Sequence, residues 1–257
     1  MFPLVFTCER PDVTISALYE GRTAIIINGI PYVLIVPTLF IHYFQQPDEY
    51  NMKSRRFIIR LIRFFSWLIS IGLLGLYATA VQFHQDWFPH KFSKELLTQS
   101  DTLLPIPLEM IFLQFIFDLL SETSLRIPKS TVLLVSLIGA IVVGQISVDA
   151  KIVHSLSLII VGINFLASMS LTAGGLWGVM SVLCYLFLFI GYFFEVTGMA
   201  VGLIITIVYM ASLKSVGVPY LAPFIPFQYK EFKDVLFRGD LRNLINSRHT
   251  YPHKDKK

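Results

Sequence analysis

From Ile152 to Leu213 the chain carries one charged side chain, Glu195. The 43 uncharged residues from Ile152 to Phe194 would form a helix about 64 Å long at about 1.5 Å per residue. That is twice the roughly 30 Å of a bilayer's hydrocarbon layer, so the run predicts two crossings with a turn between them. Ser170, Thr172, Ala173 and Gly174-Gly175 place that turn, and Glu195 separates a further crossing over Val196–Leu213. Phe64–Phe83, twenty residues without charge, and Thr131–Val148 predict two more spans. These elements define an all-α polytopic membrane protein.

Residues 105–125 decide whether five or six helices cross or re-enter the membrane. Pro105 and Pro107 open a helix that carries Glu109, Gln114, Asp118 and Glu122 among Ile, Phe and Leu. Positions 114, 118, 121 and 122 share one face. Such a helix either lies at the interface with its polar stripe in water or crosses with the stripe turned to a protein-lined or aqueous path. Charge selects between them. Five of the eleven residues Lys53–Arg63 are basic, and nine more basic residues lie between Lys214 and Lys257. Both clusters are cytoplasmic under the positive-inside rule only if the number of crossings is even. The rule therefore favours a span or deep re-entrant helix, with both termini cytoplasmic. It also explains the net charge of +4 without a nucleic-acid partner.

The first 56 residues read differently, as a short cytoplasmic segment. Pro11 and Asp12 start a helix that ends at Gly21. Asn28-Gly29 between Ala24–Ile27 and Tyr32–Val36 predicts a β-hairpin. A rival transmembrane helix over 23–44 is opposed by Asn28-Gly29, Pro31 and Pro37. Glu9, Arg10, Asp12, Glu20 and Arg22 interrupt any apolar core that a secretory signal would need. The expected organisation is thus 1–56 cytoplasmic, 57–213 transmembrane and 214–257 a basic cytoplasmic tail. In that tail Pro219, Pro223 and Pro226 predict an extended exit, and 228–246 an amphipathic helix against lipid headgroups.

No catalytic, cofactor or metal motif is present. There is no nucleophile elbow, phosphate-cradling glycine loop, HExxH or Cys-x-x-Cys, so an enzyme is not expected. Cys8 and Cys184 have no pairing pattern. Candidate chemistry rests instead on polar groups at membrane depth. Glu109, Gln114, Asp118 and Gln145 are candidates to line a pore, because acids there concentrate cations. Asn164 is a further polar group at that depth, and Asp149 and Glu195 sit at helix ends. The small-residue spacings Ala140/Gly144 and Gly198/Gly202 are candidates for close helix packing.

Several short strings, taken in order, resemble the A subunits of GerA-type spore germination receptors of endospore-forming bacteria. They are Glu9-Arg-Pro-Asp-Val13, Glu20-Gly-Arg22 with Ala24-Ile25, Asn28-Gly29 with Pro31, Phe83-His-Gln85, Gly139-Ala140 with Gly144-Gln145, and Gly217-Val-Pro-Tyr220 with Pro223. The resemblance implies a membrane subunit that triggers germination from the spore inner membrane. Its implied partners are a transporter-like B subunit and a lipoprotein C subunit, and its implied form is a homo-oligomeric ion channel. It also implies a large soluble domain ahead of this region, of which residues 1–56 would be the closing remnant. An accessory role of the SpoVAF type, or that of a non-conducting scaffold, is the alternative.

Overall fold

The computed structural model describes residues 2–44, 56–84, 103–124, 139, 144–171, 175–225 and 227. It is mostly helical and divides into two compact units. The first comprises Met1–Ser66, Leu171–Val179 and Leu203–Lys257; the second comprises Trp67–Ser170 and Met180–Gly202.

The first unit holds a three-stranded antiparallel sheet in the order β1 (Phe6–Cys8), β3 (Val33–Val36), β2 (Thr23–Ile25). Between β1 and β2 runs α1, Pro11–Tyr19, with Pro11 in its first turn, where a missing N–H costs nothing. Its end is a Schellman cap: Arg22 N–H donates to Ala17 O (3.0 Å) and Gly21 N–H to Leu18 O (3.0 Å). Gly21 takes φ 84°, open to glycine at no steric cost. The β2–β3 hairpin has the expected position, with Ala24 opposite Ile35. Its loop is wider than the Asn-Gly pair alone requires, closing through Ile30 N–H to Ile27 O (3.2 Å). Pro31, which has no N–H for the ladder, accounts for the early end of the pairing. Ile35, Cys8 and Ala17 bury the face between sheet and helix, flanked by Phe6, Val13 and Val33.

The same unit gathers residues from both ends of the chain. Beyond Ser212 the expected extended exit is instead a tight hairpin, β4 (Lys214–Ser215) against β5 (Val218–Pro219). Val216 (φ 49°) and Gly217 (φ 85°) supply the two positive-φ residues that a two-residue turn of this hand needs. Ser215 Oγ donates to Leu4 O (2.6 Å) and accepts from Thr38 N–H (2.9 Å). Phe40 N–H donates to Tyr220 O (2.9 Å), and Tyr220 is wholly buried against Phe2 and Phe40. Burial pushes the phenols of Tyr43 and Tyr220 above their ordinary range, with Arg22 offsetting part of the rise at Tyr43. The amphipathic helix expected over 228–246 and the basic residues Lys53 and Arg55 lie outside the described residues.

The second unit is built from helices. They are α2 (Arg56–Phe83) from Trp67 onward, α3 (Ile106–Ser124), α4 (Ser155–Met169), and α5 (Leu176–Ser212) from Met180 to Gly202. Of the span expected over 131–148, residues 139 and 144–148 are described, and they are helical. Gly175, at φ 83°, caps the start of α5 at the turn placed there by the sequence. Among the described residues, two helices are long and apolar enough to cross a membrane, Ile58–Phe83 and Leu176–Ser212. The second is interrupted at Glu195, whose φ of 58° and ψ of −162° are not helical. A Cβ on Gly202 would lie 3.3 Å from Ile190 Cδ1 and 3.7 Å from Phe187 Cζ. On an unbroken helix, residues fifteen apart would be separated by about 22 Å. The limbs on either side of Glu195 therefore fold back on each other.

Candidate functional site

In α3 the usual distribution of side chains is inverted. Leu108, Ile111, Phe112, Phe115 and Leu119 are exposed, Phe115 at 55%, while Glu109 is 0% and Gln114 2% exposed. α4 repeats this arrangement, exposing Ile159, Ile163 and Leu166 and burying Ser157, Asn164 and Ser168. In a water-soluble helix the apolar stripe turns inward. Here Glu109 and Gln114 turn inward beside Met110 and Leu113, and the outward surface is mostly hydrocarbon, with Glu122 exposed near the helix end.

Glu109, Gln114 and Asp118 each meet a partner on another helix, in three successive rungs, while Ser121 Oγ donates to Phe117 O of α3 itself (3.0 Å). Glu109 accepts from Ser157 Oγ (2.8 Å) and the backbone N–H of His154 (3.3 Å), and its second oxygen lies 2.9 Å from His154 Nδ1. His154 is the N-cap of α4 and offers no side-chain cap of its own. The Glu109 carboxyl takes that place, set against orphan N–H groups and the positive end of the helix dipole. One and a half turns on, Gln114 Oε1 accepts from Asn164 Nδ2 (3.2 Å), which also lies 3.5 Å from Cys184 Sγ. Asp118 forms the third rung. Its Oδ2 accepts from Ser181 Oγ (2.6 Å) and Tyr185 Oη (2.9 Å) of α5, and its Oδ1 accepts from Gln114 Nε2 (3.1 Å).

A run of apolar side chains surrounds the ladder: Leu74, Tyr77, Met110, Leu113, Val161 and Leu188. In such surroundings an unpaired polar group costs about 1–3 kcal/mol, so the partners are as necessary as the acids. The rungs stand about 6 to 8 Å apart along α3, tying it first to α4, then to both helices, then to α5.

Three of the four pore candidates, Glu109, Gln114 and Asp118, thus come together, and Gln145 does not: it is exposed on the helical stretch 144–149. Among the packing candidates, Gly202 lies against Ile190 and Phe187, Gly198 against Ile190 and Phe194, and Gly144 against Leu158. Ala140 lies outside the described residues. Asn164, a polar group at membrane depth that the sequence singles out, joins the ladder through Gln114, whereas Ser157, Ser181 and Tyr185 escaped the reading of the sequence, because single hydroxyls in an apolar run resemble ordinary membrane-helix composition. A closer helix contact escaped it too. A Cβ on Gly75 would lie 2.5 Å from Phe187 O, and one on Gly191 2.7 Å from Gly75 O. Thr79 Oγ1 fastens that crossing with 2.8 Å contacts to Gly75 O and Gly191 O. Among the described residues, no group of three or more His, Cys, Asp or Glu could hold a metal ion.

Comparison with known proteins places this arrangement in a family. Residues 1–250 match the family model described as Bacillus/Clostridium GerA spore germination protein. Spore germination protein KA of Bacillus subtilis (strain 168) is 34% identical over 240 residues, 92% of this chain and 44% of that protein. Spore germination protein B1 of the same organism is 32% identical over 261 residues, covering 93% of this chain and 50% of that protein. GerLA of Bacillus cereus is 29% identical, over 92% of this chain and 49% of its own length. The chain therefore spans about half the length of the curated relatives it matches. No solved structure matches it. With the family model covering nearly the whole sequence, the chain belongs to the GerA family of spore germination proteins.

Proposed function

We propose that this chain is the membrane portion of a germinant-receptor A subunit, acting in the spore inner membrane to trigger germination by releasing ions through an oligomeric channel. Its partners in this reading are a transporter-like B subunit and a lipoprotein C subunit. The inverted helices support membrane placement, since exposed Phe115 and Leu166 are stable against lipid and costly against water. Six crossings are supported by a single observation in the first unit. Leu4 and Thr38, ahead of the first span, are hydrogen-bonded to Ser215, just after the last. Two flanks that touch lie on one side of a membrane, so the crossings between them are even in number. The nineteen residues of α3 reach about 28 Å, enough to supply the sixth.

A non-conducting scaffold or SpoVAF-like accessory is the second reading, favoured by the partners that Glu109, Gln114 and Asp118 already have. Potassium flux from liposomes holding the purified protein separates the two. The channel reading expects flux above protein-free liposomes, whereas a scaffold gives none. A C-terminal tag accessible only from outside sealed spore-membrane vesicles would sink the six-span topology.

A further inference from the structure

We infer that α3 is held shut by its three rungs and acts as the moving element of a gate, with Ser157, Asn164, Ser181 and Tyr185 as the latch residues that set its threshold. This rests on the channel reading above and adds where closure resides. The polar stripe is the one face of α3 that offers ions a path, yet its acids and amide are bonded to neighbouring helices. The outward face of Leu108, Ile111, Phe112, Phe115 and Leu119 offers only hydrocarbon. An ion cannot replace several direct hydrogen bonds one at a time inside an apolar sheath without leaving donors bare. The bonds must break together, which requires α3 to shift as a body.

The latch is weakest at its Asp118 end. Glu109 is wholly enclosed, whereas Asp118 is only partly buried and is held by hydroxyls, which keep alternative partners in water. The Ser181/Tyr185 rung is thus where losing one bond most lowers the threshold for the concerted shift. This picture reverses the sign expected of simple pore residues: loss of a latch group raises resting flux instead of lowering it.

The test is spontaneous potassium efflux from liposomes carrying the full chain, with a trapped carboxyfluorescein dye as control. Tyr185→Phe and Ser181→Ala each remove one hydrogen bond and keep Asp118. Each is expected to raise potassium efflux roughly three- to tenfold, the shift in open fraction that one lost bond gives, with the dye retained. Should a variant fail to incorporate, a locking pair remains. Asp118→Cys with Ser181→Cys, in a Cys8→Ser/Cys184→Ser background, should be closed when oxidised and leak once reduced.

Efflux equal to or below that of the unmodified chain in both latch variants overturns the gate, as does an oxidised pair that conducts like the reduced one. Dye escaping with potassium also overturns it, since that is bilayer damage. If no form conducts, reduced pair included, the channel reading itself falls and the gate with it.

Discussion

The two units solve opposite problems with the same residue types. In the first, Ile35, Cys8 and Ala17 are buried between sheet and helix, and charges such as Arg10 and Asp12 stand outside. In the second, Glu109 and Gln114 are buried, and Phe115, Leu119 and Leu166 stand outside. Water drives the first arrangement through apolar burial. The second gains little from apolar burial if lipid surrounds it, so it relies on hydrogen bonds and close backbone packing. Where each unit is fragile follows from that difference.

The severest break should come at the helix crossing. Gly191→Leu would drive a side chain into the Gly75 carbonyl and Thr79 Oγ1, 2.7 and 2.8 Å from the new Cβ. A loss of about 3 kcal/mol or more is expected, read as absence of folded protein in the detergent-solubilised membrane fraction. Gly162→Ala, with nothing within 4 Å of the added Cβ, is the matched control and should fold normally.

A charge swap on the two surfaces tests the comparison itself. Phe115→Arg places a cation on the outward face of α3, at an expected cost of about 3 kcal/mol for insertion at mid-membrane depth. Ile26→Arg, on an exposed isoleucine of the first unit, should cost under about 0.5 kcal/mol. Equal tolerance at both positions, measured as the fraction inserted into microsomes, would erase the distinction between the units.

The ladder gives a smaller effect. Glu109→Ala leaves the Ser157 hydroxyl and the start of α4 without an acceptor, for a loss of about 2 kcal/mol. Glu109→Gln keeps an acceptor and should lose less than half of that. Thermal unfolding in detergent would order the three proteins, and Gln behaving no better than Ala would argue against the capping role.

Smallest of all is the exposed pair at the start of α1. Arg10 hydrogen-bonds Asp12 through two nitrogens, at 2.8 and 3.2 Å, and holds its carboxyl below the ordinary range. What the pair contributes is present above the ordinary carboxylate pKa and is lost as pH falls through the lowered one. Arg10→Ala should shift the Asp12 titration upward by NMR and leave unfolding unchanged, as expected of a solvent-screened pair.

Much of the fold was legible because it is written in local signals. Pro11 and Gly21 bracket α1, Asn28-Gly29 marks the β2–β3 hairpin, and Gly175 and Glu195 fall where the long apolar run turns. The third strand, β1, was not legible. Phe6–Cys8 has no turn signal, and it is a strand only because β3 offers it an edge. The hairpin after Ser212 was obscured by its prolines, since Pro219 sits at the end of the pairing and costs it nothing. The polar stripe of α3 could be read from spacing, but not what it would meet. That depended on three helices coming together, and the hydroxyls that answer it have no periodicity of their own.

The hydrogen bonds of Ser215 to Leu4 and Thr38 also constrain how the protein is made. They join residues 211 and 177 positions apart. A ribosome releases the first partner long before the second exists, and every intervening helix is made in the interval. The N-terminal sheet can form early on its own short-range contacts, but its junction with Ser215 and Tyr220 must wait until those residues are made. A pause or truncation before Ser215 would therefore leave the first unit open at that junction.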